Sequence, residues 1–120
     1  MKPPRVLDSS AMVDLFGGHT ELGKMLTEAL NGELHLLLPT AALADAEDRL
    51  GAGTVGWEPV LLTPGVTSLP LTEHAAIEVG QLPGELAARH AVHEASALNA
   101  IIVTRKPGAY EGQRTSLLVV

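Results

Sequence analysis

The chain has 120 residues, which fits one domain built on a single hydrophobic core and leaves no room for two. It contains no cysteine, so disulfides, thiolate zinc sites and a cysteine nucleophile are excluded. A formal net charge of −6 argues against an extensive basic nucleic-acid surface but leaves space for a small local groove.

In chain order, the N-terminus Met1-Lys2-Pro3-Pro4-Arg5 is basic, but only Val6 and Leu7 follow before Asp8, so the apolar core of a signal peptide is missing. No apolar run elsewhere approaches the roughly 20 residues of a membrane helix. The expectation is a cytoplasmic protein without a membrane partner. Val6-Leu7 reads as a short strand, and Ser9 or Ser10 as the cap of a helix through Phe16 that Gly17-Gly18 breaks. Leu22, Met25, Leu26, Ala29 and Leu30 recur at helical spacing over 20–30, with Asn31-Gly32 as the stop. A second strand is expected over 34–38. Pro39-Thr40 then opens a helix to about Leu50, ended by Gly51 and Gly53. A helix over 55–62 carries Trp57, a third strand covers 66–71, and Thr72 with Glu73 starts a helix to Val79. After a turn at Leu82-Pro83-Gly84 come a long Ala-rich helix over 85–98, a fourth strand over 100–104 and a fifth over 116–120. Strands alternating with helices predict an α/β fold with right-handed crossovers and a mostly parallel five-stranded sheet covered on both faces.

The carboxylate of Asp8 stands where a strand gives way to a helix, the place where α/β proteins hold metals and phosphates. Val6-Leu7-Asp8 with Ser10, Leu38-Pro39 followed by Asp45, and an Ala-rich helix leading to Ile102-Val103-Thr104-Arg105 and then Pro107-Gly108 and Tyr110 resemble a PIN domain over nearly the whole chain. In order, spacing and size they are similar to the VapC-like, toxin-type PIN ribonucleases of bacterial toxin–antitoxin pairs. The resemblance implies a PIN-like three-layer sandwich and a site in which acidic residues hold Mg²⁺ or Mn²⁺ and activate water to cut RNA. Hard cations of this kind need carboxylate oxygens. It also implies a homodimer and an antitoxin protein as partner, besides RNA.

Carried over by position, the first family acid falls on Asp8, the hydroxyl two residues later on Ser10, and the second acid, usually Glu, on Asp45. These two acids are the implied catalytic and metal-binding pair, with Ser10, Thr104 and Lys106 in support. On a helix turning about 100° per residue, Asp45 and Glu47 flank opposite edges of an arc formed by Ala42, Leu43, Ala46 and Leu50. Periodicity alone allows either, and it also allows Asp45, Glu47 and Asp48 to be a solvated face near Arg49; the resemblance picks Asp45. Two family acids are lost. The third falls on Ala88 or Arg89, and the fourth on Lys106, whose ammonium would stand between Asp8 and Asp45 and satisfy them without a metal.

His90, His93 and Glu94 read as the outer, solvated or interface side of the long helix, since His90 and Glu94 have the i,i+4 spacing metals use but form no zinc-hydrolase motif. Ala88, Ala91, Val92, Ala95 and Leu98 read as a small-residue stripe packed on the sheet. Gly51-Ala52-Gly53-Thr54 lacks the spacing and the Lys of a phosphate loop and reads as a turn. Arg105 and Lys106 form a weak phosphate footprint. A phosphoacceptor receiver domain is the rival α/β reading, but it needs an Asp ending its third strand, and Val66-Thr67-Ser68-Leu69-Pro70 offers none. Three expectations follow: a ribonuclease working with a reduced acid set, helped by Glu94 or by water; a catalytically degenerate PIN-like domain that binds a partner or RNA; and a dimer-forming module using Leu22, Met25 and Leu26 or the His90 face.

Overall fold

A computed structural model describes residues 2–120; Met1 of the basic N-terminus lies outside them. The elements alternate as expected: β1 (Arg5–Leu7), α1 (Ser9–Phe16), α2 (Thr20–Leu30), β2 (Leu36–Pro39), α3 (Thr40–Leu50), α4 (Gly53–Leu61), β3 (Val66–Leu69), α5 (Glu73–Gly80), α6 (Leu86–Leu98), β4 (Ile101–Thr104), a 3₁₀ turn (Pro107–Tyr110) and β5 (Leu117–Val119). The strands are shorter than their apolar runs. Leu34, read as the start of β2, lies outside the strand but remains buried in the core.

The five strands form one sheet in the order β3-β2-β1-β4-β5, and every pairing is parallel. Parallel strands buried on both faces read as continuous apolar runs, and β2 (Leu36-Leu37-Leu38-Pro39) is buried at all four positions. Alternation sends Leu7, Leu36, Leu38 and Val103 into a core beneath α1 to α4, while Val6, Leu37 and Ile102 pack on the opposite face against Ala91, Val92 and Ala95 of α6. Leu98, expected in that stripe, is 45% exposed. The helices therefore cover both faces, an α/β arrangement compatible with a PIN-like three-layer sandwich.

The receiver reading falls on topology as well as chemistry, because a flavodoxin-like sheet has the order 2-1-3-4-5. Here the chain moves outward from β1 through β2 to β3 and then returns to the other side of β1 with β4. The order reverses between β1 and β4, and in open parallel sheets ligands bind beyond the carboxyl ends of the strands at such a point. Among the described residues no helix is long and apolar enough to cross a membrane.

Candidate functional site

A cavity of about 260 Å³ opens beside the carboxyl ends of β1 and β4, lined by Asp8, Asp45, Arg49, Glu85, Lys106 and Tyr110 among others. Of the residues that sequence reasoning singled out, Asp8, Ser10, Asp45, Ala88 and Lys106 line this one cavity, and Thr104 lies within 3.4 Å of the Ser10 hydroxyl. Arg49, Glu85 and Tyr110 are additions. Glu85 precedes the first turn of α6, and Tyr110 is delivered by the 3₁₀ turn after β4.

Asp8 is the N-cap of α1, a role expected of Ser9 or Ser10. Its Oδ1 accepts the Ala11 amide at 2.9 Å and the Ser10 hydroxyl at 2.7 Å, while Oδ2 accepts the Tyr110 hydroxyl at 2.7 Å. A carboxylate is the best acceptor for orphan amides in a first helical turn, so the nearer serines are released for other work. Ser9 donates to the Ala42 carbonyl at 3.1 Å and ties α1 to α3. Ser10 gives its proton to Asp8 and accepts the Arg105 amide at 2.9 Å. Thr104, fully buried, accepts the Lys106 amide at 2.9 Å. With the Ser10 proton spent on Asp8, Thr104 is the donor across the 3.4 Å gap between the two hydroxyls. Asp8, Ser10, Thr104 and Tyr110 thus form one buried network that joins β1, α1, β4 and the 3₁₀ turn.

Tyr110 is 4% exposed. Burial first, and then the charge of the Asp8 carboxylate, push its hydroxyl well above the ordinary phenol range, so it stays a proton donor to Asp8. Tyr110→Phe keeps the ring but leaves Oδ2 without its donor, and it is expected to cost about 1–2 kcal/mol in urea denaturation while leaving the far-UV spectrum unchanged.

On α3 the choice between the two flanking acids is resolved by what each one touches. Asp45 lines the cavity and pairs with Arg49 at 2.9 Å. Glu47 is drawn the other way: its carboxylate accepts the amides of Ala52 and Gly53 at 2.8 Å each and the Trp57 indole at 3.0 Å. It thereby caps the start of α4, and the Trp57 and Gly53 hydrogen bonds hold it below the usual carboxylate range. Of the Gly51–Thr54 segment read as a turn, only Gly51 and Ala52 connect the helices, and Gly53 and Thr54 already open α4.

Lys106 lines the cavity with Asp8 and Asp45 but pairs with neither. Among the described residues its ammonium makes no ion pair; the position beside Asp8 is taken by Tyr110, and Asp45 is held by Arg49 within its own helix. Arg105 is drawn away by Asp14, at 2.7 Å, and by the Val120 carbonyl. Of the two positions carried over for the third acid, Ala88 lines the cavity, whereas Arg89 donates to the Val79 carbonyl at 3.3 Å.

His90 is not on a solvated face but completely buried. Its Nδ1 accepts the Ala41 amide at 3.2 Å and its Nε2 lies 3.2 Å from Glu94 Oε1. The reading failed because α6 is packed on more than one side, against the sheet, α3 and α5, so a single apolar stripe does not mark all of its buried positions. Glu94 is engaged by His90 and does not reach the cleft, and His93 pairs with Glu78 of α5 at 3.2 Å.

A hard divalent cation wants several free carboxylate oxygens in one place. Asp8 has donors on both oxygens, Asp45 is tied to a guanidinium, and an ammonium and a guanidinium line the same cavity. Among the described residues no three His, Asp or Glu side chains come together as a metal-holding group. As arranged, these residues do not fit Mg²⁺ or Mn²⁺. No protein-family model matches the chain, and no curated protein matches it.

Proposed function

We propose that this chain is a PIN-like domain whose nuclease-type cleft has become a metal-free binding cleft, so that it acts as a partner-binding module and not as an endoribonuclease. The observation that carries this reading is the Asp8 carboxylate, which caps α1 and accepts Ser10 and Tyr110 where a nuclease would hold it open for a cation. Lys106, in the place of a family acid, adds positive charge where a metal site needs negative charge. The partner is a protein: the chain carries a net charge of −6 and three aromatic side chains in all, a poor basis for phosphate binding and base stacking. A second copy of the chain and an antitoxin protein, the partners implied by the resemblance, belong to the same proposal.

Calorimetric titration with Mn²⁺ and cleavage of a mixed RNA in Mg²⁺ or Mn²⁺ test it on the wild type, Asp8→Asn and the pair Ala88→Asp with Lys106→Asp. Wild type and Asp8→Asn are expected to be equally inert, with metal binding gained only in the double substitution. Metal-dependent cleavage by the wild type that disappears in Asp8→Asn would restore the ribonuclease reading.

A further inference from the structure

We infer that His90 is a proton-operated clamp between α6 and α3: its uncharged ring holds the amino end of the helix that carries Asp45 and Arg49, and protonation releases that wall of the cleft. This goes beyond the binding reading and holds whichever ligand the cleft takes.

The first turn of a helix leaves amides without intrahelical partners, and a side chain at the N-cap usually accepts one of them. The N-cap of α3 is Pro39, which makes no side-chain cap. Thr40, next in line, spends its hydroxyl oxygen on the Leu71 amide at 2.9 Å. The acceptor for Ala41 comes instead from another helix, as Nδ1 of His90. An imidazole nitrogen accepts only when it carries no proton. The ring is therefore neutral with its proton on Nε2, which donates to Glu94. Protonation of Nδ1 would set one N–H against another and put a cation at the positive end of the α3 dipole.

The surroundings of the ring fix the direction of its titration. On α6, Glu94 favours the charged form and His93 opposes it; desolvation, the largest influence, also opposes it and holds the ring below its ordinary value. From α3 the facing group is the Ala41 amide, and on α5 the Glu78 carboxylate is shared between His93 and His74. The strands under α6 offer the apolar Val6, Leu37 and Ile102. Because the folded value lies below the unfolded 6.5, the clamp contributes in full above that pH. Its contribution is lost as the pH falls through 6.5 toward the folded value.

The test is a pH titration of the ¹⁵N-labelled full chain by NMR, reading the Ala41 amide, the Trp57 indole and the His90 ring. Trp57 reports on α3 through Glu47. The Ala41 amide is expected to titrate with the midpoint of the His90 ring, below 6.5, and its intrinsic-corrected hydrogen exchange to accelerate about tenfold or more as the helix end opens. In His90→Asn, whose amide oxygen replaces Nδ1 but does not titrate, both responses should vanish. Glu94→Gln keeps the hydrogen bond and removes the charge, so the midpoint should drop by about one pH unit, and this variant decides the matter if His90→Asn does not fold. An Ala41 amide that ignores pH, a response that survives in His90→Asn, or a midpoint unmoved by Glu94→Gln would each overturn the clamp.

Discussion

Asp8→Ala is expected to lower the stability of the fold by about 2–3 kcal/mol, roughly 1 for the lost cap of α1 and 1–2 for the Tyr110 hydroxyl left buried without an acceptor. For a domain of this size that corresponds to a fall in melting temperature of about 10 °C. Asp8→Asn should lose much less, because asparagine is a good N-cap and its carbonyl oxygen still accepts the Ala11 amide. The sign of the Asp8→Ala effect carries the information. In a metal-free nuclease cleft several carboxylates crowd together and repel one another, so removing one relieves repulsion and stabilises the empty protein. Here Asp8 is surrounded by donors, and its removal can only leave them unpaired. Urea denaturation of wild type, Asp8→Asn and Asp8→Ala at neutral pH separates the cases, and a variant as stable as wild type or more so would sink the structural role given to this carboxylate.

The fold was legible because its signals are local. Apolar runs bounded by glycine, proline and caps place every strand and helix, and their alternation implies a parallel sheet. Asp8 was legible from its place where a strand gives way to a helix, but Asp45 only through the resemblance in the order of motifs, and spacing alone left Glu47 as good a candidate as Asp45. What separates them is the turn after α3, whose amides and Trp57 claim Glu47. No period in the sequence encodes that turn.

Two other residues were lost for reasons of distance. Tyr110 meets a carboxylate 102 positions earlier in the chain, and its place in the motif after β4 said nothing about which atom its hydroxyl would reach. His90 was assigned to an outer face, solvated or at an interface, from one helix considered alone, although its ring is enclosed by a second helix and serves that helix's first turn. Lys106 lines the cleft but makes no ion pair with Asp8 or Asp45, since a lysine's position in sequence does not say where its long, flexible side chain ends.

Gly65→Ala is expected to have the largest effect of any glycine-to-alanine exchange in this protein, about 4 kcal/mol. Gly65 has φ +85°, and a Cβ there would lie 2.6 Å from the Ala29 carbonyl oxygen and 2.9 Å from that of Leu34. Both obstacles are backbone, so neither can rotate away, and the Ala29 carbonyl is engaged at the end of α2 by the Asn31 and Gly32 amides. The Gly65 carbonyl in turn accepts the Leu36 amide at 2.8 Å, so a shift to relieve the clash would pull on the start of β2. Gly18 supplies the control. Its φ is +83°, nearly the same, but a Cβ there meets nothing within 4 Å, so Gly18→Ala should cost only the left-handed backbone penalty, about 1 kcal/mol. The difference between the two variants in urea denaturation measures the close approach of α2 to the β2–β3 edge separately from backbone strain. Gly65 lies at the amino ends of the strands and the cleft at their carboxyl ends, so a folded Gly65→Ala protein should keep the native Tyr110–Asp8 contact and the pH response of Ala41. Equal losses for the two glycine variants would show that the α2 end yields without cost and that the packing assigned to it is wrong.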